Sequence, residues 1–212
     1  MKIIPVKTPE SIKLLFPNYT WDFYAKKEKK IYLTFDDGPI PEVTEFILDQ
    51  LQLFNAKATF FCIGENIKKH PHIFNKILSE GHSVGNHTMN HLKARKSTLS
   101  SFLENVEKCE KQIKEHTELK SKLFRPPYGQ LSKSKLIELR KLGYNIILWD
   151  VLSKDWDKNT SPEQCSNNVI DNSKSGSIIV FHDSIKASKN IEIALPKVLK
   201  HFTNKGYVLD KI

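Results

Sequence analysis

Short apolar runs alternate along this 212-residue chain with longer segments in which apolar residues recur at helical spacing. The runs are nearly continuous in apolar character, as expected of strands buried on both faces of a parallel sheet. The sequence therefore predicts an α/β fold. Strands are expected over residues 31–35, 58–63, 82–85, 122–125, 144–149, 177–181 and 207–209. Helices are expected from Pro41 onward, through the stripe at 102–113, and over 71–80, 133–142, 162–172 and 191–202.

The placement of polar residues favours one arrangement of such a sheet. About seven strand–helix units are too few for a regular eight-fold barrel, and a doubly wound sheet also fits the pattern. However, charged and imidazole side chains fall directly after the predicted strands, and in a barrel all strand carboxyl ends open onto one face. We therefore predict a deformed (β/α) barrel with about seven parallel strands. The converging residues would be Asp36, Asp37, His87, Arg125, residues 150–155 and His182.

Composition restricts the class of protein. The chain is 39% hydrophobic and 27% charged, which is ordinary for a globular domain, and no run approaches the roughly 18 apolar residues of a membrane span. Residues 1–17 lack the apolar stretch of a signal peptide, so the sequence read literally predicts a cytoplasmic protein. Three widely spaced cysteines predict buried free thiols rather than disulfides or a thiolate zinc site; they are Cys62, Cys109 and Cys165.

The formal net charge of +9 comes mainly from scattered lysines. No basic block is interleaved with aromatic residues, so a solvated surface is favoured over nucleic-acid binding. Attraction to an anionic polymer such as a cell-wall glycan is a secondary hypothesis.

Two adjacent carboxylates end the first predicted strand. Asp36 and Asp37 precede a Gly-Pro pair that breaks the strand, and neighbouring side chains at a strand end point in different directions. The two carboxylates can therefore have different roles, for example one that binds a metal ion and one that contacts a water. A capped turn is the alternative interpretation, since Asp-Gly is a common turn signal.

A His-x-x-x-His pair follows the third predicted strand. On a helical turn His87 and His91 would lie on the same face and could share one ion. With Asp36 or Asp37 as the acid, they form a two-histidine, one-carboxylate set. Such a set suits Zn²⁺ or another divalent transition ion, with open positions for water and substrate.

Three later segments offer partners for this centre. Arg125 opens a loop stiffened by two prolines, where it would hold a carboxylate by a bidentate pair while the loop aims a backbone N–H at an oxyanion. A structural turn is the alternative there. Segment 148–156 combines tryptophan with aspartate, which suits sugar rings, although tryptophans are more often core. His182 ends a strand and could donate a proton, although a lone histidine there is more often structural.

These five segments, in this order, resemble the motifs of the polysaccharide deacetylases, the NodB-like carbohydrate esterases. Residues 34–39 match T-F-D-D-G-P, 87–91 match H-S/T-x-x-H, 125–128 match R-x-P-Y, 153–156 match the end of D-S/T-x-D-W, and 181–182 match L-x-H apart from the aromatic Phe181. The resemblance runs from about residue 32 to the C-terminus. Each motif is short, but the five together are highly specific.

The resemblance implies a NodB-homology barrel at residues 29–212, with an N-terminal extension at 1–28 packed on it. It also implies removal of acetyl groups from a glycan substrate and one divalent metal ion, zinc first, with cobalt or nickel as alternatives. The implied roles are Asp37, His87 and His91 as metal ligands, Asp36 as general base oriented by Arg125, the Tyr128 backbone N–H as oxyanion donor, Trp156 as a wall of the acetyl pocket, and His182 as general acid tuned by Asp155.

One position departs from the family pattern: Leu152 stands where many members carry the first aspartate of the fourth motif. Asp155 is therefore retained as the partner of His182, and Asp150 is the weaker candidate. Removal of N-acetyl groups from chitooligosaccharide- or peptidoglycan-like amino sugars is the first hypothesis. An O-acetyl xylan-type esterase and a glycan-binding protein without turnover are the alternatives. The sequence leaves the glycan and the oligomeric state open.

Overall fold

The strands form a single curled sheet. The structure, a computed structural model, describes residues 4–24, 28–118 and 122–212. Its strands are β1 (Lys30–Asp36), β2 (Thr59–Cys62), β3 (Ser83–Asn86), β4 (Lys122–Phe124), β5 (Tyr144–Ile146), β6 (Val151–Leu152), β7 (Ile178–His182) and β8 (Val208–Asp210). Among these residues the order is β5-β4-β3-β2-β1-β7-β6, with β8 beside the start of β1, and every pairing is parallel. The predicted deformed barrel is confirmed.

Helices cross over between the strands. They are α1 (Glu10–Leu15), α2 (Val43–Leu53), α3 (Gly64–Lys69), α4 (Pro71–Ser79), α5 (Leu99–Lys114), α6 (Lys133–Lys141), α7 (Pro162–Ile170) and α8 (Ser188–Asn204). Serine and threonine side chains cap α5, α6 and α7 by accepting backbone N–H groups of the first turn. The apolar stripe of α5 is buried as its spacing predicts, at Phe102, Val106, Cys109 and Ile113.

The core explains why the strands read as continuous apolar runs. From Ile31 to Asp36 every residue of β1 is buried. Phe35 stacks between Phe60 of β2 and Phe181 of β7, with ring centroids 5.1 and 6.0 Å apart. Because helices cover the outside of the sheet and the other strands curl around its inside, both faces of the central strands are shielded from water.

The structure corrects several predicted boundaries. The strand expected over 144–149 ends at Ile146, and the short strand β6 was not predicted. Helix α3 was also missed, since its six residues are too few to show a helical period. Helix α2 begins at Val43 rather than at Pro41, because Glu42 has a φ of +66°. Helix α1 was not predicted either, and the other strands and helices were predicted within a few residues.

The N-terminal segment lies along the two open edges of the sheet. Leu152 of β6 donates its N–H to the carbonyl of Val6, whereas Thr20 exchanges backbone hydrogen bonds with Ile146 and Leu148 beside β5. Edge strands expose unpaired backbone groups, and this segment covers them. Residues 1–3 and 25–27 of the predicted extension lie outside the described residues, and the boundary at residue 28 stays a prediction.

Two predictions from composition bear on this fold. All three cysteines are buried and free, as expected. Among the helices of the described residues, none has the length and apolar character needed to cross a bilayer.

Candidate active site

The functional side chains converge at the carboxyl ends of the parallel strands. Asp36 ends β1 and is the register partner of His182 at the end of β7, so the two side chains start from adjacent backbone positions. His87 directly follows β3, and Arg125 directly follows β4. The structure therefore brings Asp36, His87, Arg125 and His182 to one face of the barrel, whereas Asp150 of the predicted set lies elsewhere.

Asp36 is held by a fully buried arginine. The Arg125 Nη1 lies 2.7 Å from Asp36 Oδ1, and it also donates to Thr34 Oγ1 at 2.7 Å. The other guanidinium nitrogens donate to the carbonyls of Ile147 and Leu148. The expected bidentate pair is therefore wrong: one oxygen of Asp36 is engaged, because the other donors of Arg125 satisfy strand-end carbonyls. The arrangement fixes Asp36 and leaves its second oxygen for other work.

Asp37 occupies a constrained turn. Its φ of +90° is rare for a residue other than glycine. The turn is held by Asn66, whose Nδ2 donates to the Asp37 carbonyl at 2.7 Å, and by Asp183, whose Oδ1 accepts the Gly38 N–H at 2.8 Å. Asp183 Oδ2 also accepts the Thr44 hydroxyl at 2.8 Å. A β-carbon at Gly38 would lie 1.7 Å from Asp183 Oδ2, so only glycine permits this contact.

The segment carrying His87 and His91 is an irregular loop, and the expected helical turn is wrong. Thr88 and His91 have positive φ values of 68° and 57°. The loop is pinned by side-chain amides: Asn86 Oδ1 accepts the Thr88 N–H, and Asn105 Oδ1 accepts the Met89 N–H, both at 2.9 Å. The two imidazoles still come together, with ring centroids 5.1 Å apart, because the loop folds back rather than because of helical spacing.

Asp37 and the two histidines form a cluster suited to a cation. Asp37 Oδ1 lies 3.7 Å from His87 Nε2 and 3.3 Å from His91 Nε2. These separations suit three atoms bound about 2 Å from one ion. Within the described residues Asp37 Oδ1 is buried and has no hydrogen-bond partner. A buried carboxylate oxygen without a partner is costly, and a bound cation would satisfy it.

The protonation states also fit a metal site. Burial lowers the pKa of His87 to about 3, even though Asp37 opposes the effect, and burial lowers the pKa of His91 as well. Both rings are therefore neutral near pH 7, as metal binding requires. His87 Nδ1 lies 2.7 Å from the Arg125 carbonyl, which accepts its proton and leaves Nε2 facing Asp37.

His182 has the opposite electrostatics. Its Nδ1 lies 2.9 Å from Asp155 Oδ1, and its backbone N–H donates to Asp155 Oδ2 at 2.6 Å. Burial disfavours the charged ring, but the buried Asp155 carboxylate, with smaller contributions from Asp37 and Asp36, outweighs this and raises the pKa of His182 to about 9. The ring is therefore protonated at neutral pH. The predicted pairing of His182 with Asp155 is present.

Two aromatic rings flank the cluster. Tyr128, at a φ of +62°, places its ring centroid 4.7 Å from that of His91 and remains 53% exposed. Trp156 places its ring 4.7 Å from that of His182. Tyr128 thus stands beside one imidazole of the site, that of His91, and Trp156 beside another, that of His182.

The replacement of the usual motif aspartate by Leu152 does not change the residues of this centre. Leu152 is buried in β6 beside Val180 of β7. Asp150 points away from the site, where it accepts hydrogen bonds from Lys7, Lys13, Tyr24 and Ser177. Asp150 is therefore an anchor for the N-terminal segment, and Asp155 is the aspartate that meets His182.

Sequence reasoning missed the residues that hold the turn and the loop. Four of them bind backbone groups of the turn and the loop, and they are Asn66, Asn86, Asn105 and Asp183. The fifth, Thr44, donates its hydroxyl to the Asp183 carboxylate. Only Asp183 carried a visible signal, since it is a charged residue directly after an apolar strand and next to His182.

Comparison with known proteins identifies a consistent set of relatives. A sequence model of the polysaccharide deacetylase family matches residues 24–147. A peptidoglycan-N-acetylglucosamine deacetylase of Bacillus cereus is 38% identical over 194 residues, covering 89% of this chain and 88% of that protein. A chitooligosaccharide deacetylase of Azorhizobium caulinodans is 35% identical, covering 75% and 76%. A crystal structure of the peptidoglycan N-acetylglucosamine deacetylase Bc1960 superposes with a TM-score of 0.88 at 33% identity, covering 97% and 95%.

Proposed function

The chain belongs to the polysaccharide deacetylase family, and from this premise we propose that it is a metal-dependent N-deacetylase of amino-sugar glycans. The family and its relatives support hydrolysis of a carbon–nitrogen bond in a glycan, with release of acetate. The metal, the acetyl group removed and the residue roles below are the proposal. The alternative chemistry is removal of O-acetyl groups from a xylan-type glycan.

The unsatisfied oxygen of Asp37 is the observation that carries the proposal. It faces the neutral rings of His87 and His91, and the candidate base and acid lie beside this cluster. Asp37 Oδ1 lacks a hydrogen-bond partner in the described residues, although it is buried. Asp36 lies next to it in the chain and is fixed by Arg125, and His182 is the register partner of Asp36. A structural cluster would satisfy its own polar groups, whereas this one does not.

The ligands of the ion would be Asp37, His87 and His91, and zinc is the ion that this donor set suits best. When bound, such an ion supplies Lewis acidity toward the acetyl carbonyl and a nucleophilic water at neutral pH. The neutral histidines leave the site able to take a dication without first losing protons.

Asp36 is the general base in this proposal. The guanidinium of Arg125 engages Oδ1, so Oδ2 can take the proton of the attacking water. Arg125 is buried and makes four hydrogen bonds, so its position, and that of Asp36, is fixed before substrate binds. Such fixed geometry is what makes a general base effective.

His182 is the general acid. Asp155 holds Nδ1, so the Nε2–H is directed toward the cleft, where it can protonate the leaving nitrogen. An amine anion is a very poor leaving group, whereas an alkoxide leaves more readily. A histidine kept protonated at neutral pH therefore favours amide over ester hydrolysis.

Tyr128 and Trp156 would complete the pocket. The φ of +62° at Tyr128 sets the direction of its backbone N–H, and we assign this N–H as a hydrogen-bond donor to the developing oxyanion. The Trp156 ring stands against His182, where it would wall the pocket that receives the acetyl methyl group.

Acetate release from defined glycans tests the proposal. Protein supplemented with zinc is expected to release acetate from N-acetylglucosamine oligomers faster than from acetylated xylan. Asp36→Asn is expected to lower kcat by about 10² to 10⁴, the usual contribution of general acid–base catalysis. Exposed Asp49 provides a matched control, since Asp49→Asn removes a carboxylate distant from the site and is expected to leave kcat unchanged.

Three results would change the assignment. Faster release from xylan would favour the esterase. Glycan binding without release, by protein that holds its metal, would favour the binding protein. Turnover of Asp36→Asn equal to that of Asp49→Asn would remove Asp36 from the mechanism.

A further inference from the structure

An ammonium group stands at the rim of the candidate active site. Lys93 places Nζ 4.5 Å from the ring centroid of Tyr128, and that ring lies 4.7 Å from the ring of His91. Lys93 is thus two side-chain contacts away from a candidate metal ligand. At this separation from the candidate metal ligand, the Lys93 ammonium would meet a substituent on the reacting sugar or on its neighbour rather than the scissile bond.

Lys93 belongs to a loop that carries positive charge without compensation. The sequence from His87 to Leu103 holds Lys93, Arg95 and Lys96 and no acidic residue. Lys93 has no carboxylate partner among the described residues. Two other lysines differ: Lys13 is paired with Asp150, and Lys30 with Asp210. A cation that a protein holds over an aromatic ring but leaves without a counter-ion can accept an anion from a ligand.

A second cation lies on the other side of the carboxylates. The sheet order places the loops after β3 and β7 on either side of β1, which carries Asp36. The loop after β7 carries Lys186, four residues beyond His182, and it is exposed. Positive charge therefore borders the cleft from two directions.

A structural role for Lys93 is the competing explanation. A cation over an exposed ring contributes only about 0.5–1 kcal/mol to stability. Tyr128 is more than half exposed, so the contact holds the rim but buries little of the ring. An exposed ring beside an ammonium is also a surface on which a sugar can stack while its acidic substituent meets the charge.

We propose that Lys93, with Lys186 opposite, forms an anion subsite that selects amino-sugar glycans bearing a carboxylate over neutral ones of the same length. The inference rests on the proposed function, because it concerns the substrate of the same cleft. It assigns Lys93 as a specificity-determining residue and Tyr128 as the platform that positions it. The carboxylate comes either from a lactyl ether on the sugar or from a peptide attached to it.

The test compares substrates that differ only in charge. One tetrasaccharide of N-acetylglucosamine and N-acetylmuramic acid carries free lactyl carboxylates, and a second carries the corresponding carboxamides. A third carries an acidic dipeptide on each lactyl group, which separates the two sources of the carboxylate. KM is measured by acetate release, and Kd by calorimetry in the Asp36→Asn background, where turnover is too slow to consume the ligand.

The wild-type protein is expected to favour the better of the two acidic ligands over the carboxamide by about three- to fivefold in KM and Kd, the usual strength of an exposed ion pair. Lys93→Gln is expected to abolish the preference, and Lys93→Arg to keep it. Raising the salt to about 1 M, where the Debye length is about 3 Å, is expected to abolish it too. Lys200→Gln is the matched control, since exposed Lys200 near the end of α8 lies toward the opposite end of the barrel.

The outcomes separate the inference from the proposed function. Equal affinity of wild type for acid, peptide-bearing acid and amide would overturn the inference, even if all three are deacetylated. A preference unchanged in Lys93→Gln would also overturn the role of Lys93. A carboxylate preference in Kd that Lys93→Gln removes, without acetate release from any ligand, would support the subsite and contradict the deacetylase proposal alone.

Discussion

Asp37 and Asp150 are aspartates of one chain with opposite surroundings. Asp37 Oδ1 is buried and has no hydrogen-bond partner within the described residues. Asp150 is fully buried, and both its oxygens are engaged: Lys13 contacts Oδ1, while Lys7, Tyr24 and Ser177 contact Oδ2. The Asp37 carboxylate therefore has an oxygen that could bind an ion, whereas side chains of the protein itself provide hydrogen-bond donors to both oxygens of Asp150. In the proposed function the unsatisfied buried oxygen of Asp37 binds an ion, whereas the fully hydrogen-bonded Asp150 stabilises the fold.

Replacing Asp37 should produce the largest effect. Asp37→Asn removes one of the three proposed metal ligands, and the Lewis acidity of a bound ion is worth several kcal/mol in the transition state, so kcat/KM is expected to fall by about 10³ or more. The melting temperature of metal-free protein should barely change, because the lost oxygen makes no hydrogen bond. Acetate-release kinetics and thermal melts measure both. A large loss of stability without loss of metal would contradict the comparison.

Replacing Asp150 should produce the reverse pattern. Asp150→Asn removes the buried counter-ion of Lys7 and Lys13. Because Lys13 keeps Asp22 and Glu10, the expected cost is at the lower end of the range for a broken buried pair, about 3 kcal/mol of unfolding free energy. For a chain of this size that is a fall in melting temperature of about 10 °C. The folded fraction should keep its kcat. An active-site defect in fully folded Asp150→Asn would remove the distinction between the two aspartates.

The same pair predicts how stability depends on pH. Burial opposes ionisation of Asp150, but Lys13, Lys7, Ser177 and Tyr24 outweigh it and lower the pKa of the carboxyl. A group whose folded pKa is lowered contributes stability above its unfolded pKa and loses it as pH falls through the folded value. Wild type should therefore lose stability on acidification below about pH 4, and Asp150→Asn should lose less over that interval. Parallel acid-induced loss in both proteins would contradict this.

An intermediate effect is expected at Asp183, behind the Asp37 turn. It is fully buried and its carboxylate holds the Gly38 N–H and the Thr44 hydroxyl. Asp183→Asn should weaken metal affinity by about 10- to 100-fold, the usual effect of a residue that supports a ligand, with recovery of kcat at saturating zinc. Metal titration followed by fluorescence or activity measures this. Unchanged metal affinity would show that Asp183 only closes the turn.

The smallest effect is a displacement of the pH profile. His182 must be protonated to act as acid, so turnover falls as pH rises through its pKa, which Asp155 raises to about 9. Asp155→Asn removes the largest of the charges that offset burial, so the pKa of His182 falls and the alkaline limb of the kcat profile should move to lower pH by about one unit or more. A bound dication lowers the pKa of His182 in both proteins, so the quantity to compare is the difference in pH between the two alkaline limbs. Alkaline limbs at the same pH in wild type and Asp155→Asn would contradict the assignment of His182.

The sequence predicted what depends on periodicity and order along the chain. The apolar runs predict most of the strands. The motifs predict the candidate site residues Asp36, Asp37, His87, His91, Arg125 and His182. It could not predict how these residues are held. The turn at Asp37 depends on Asn66 and Asp183, which are distant in the chain and act on backbone groups. The loop at His87–His91 depends on Asn86 and Asn105 rather than on helical spacing.

Asp150 shows a second limit of the sequence. In the chain it lies in the same Trp-Asp segment as Asp155, and only the packing separates the anchor from the catalytic partner. The saturation of Asp150 comes from Lys7, Lys13 and Tyr24 of the N-terminal segment, which carries no motif. Whether a buried carboxylate has all of its hydrogen-bond partners is thus a property of the folded molecule.

A zinc titration of metal-stripped protein, followed by acetate release from N-acetylglucosamine oligomers, tests the central claim most directly. We predict no release without metal, a rise with added zinc that reaches its plateau at about one ion per chain, and no rise in Asp37→Asn at the same concentrations. Full turnover by the stripped protein, or an unchanged titration in Asp37→Asn, would contradict the account.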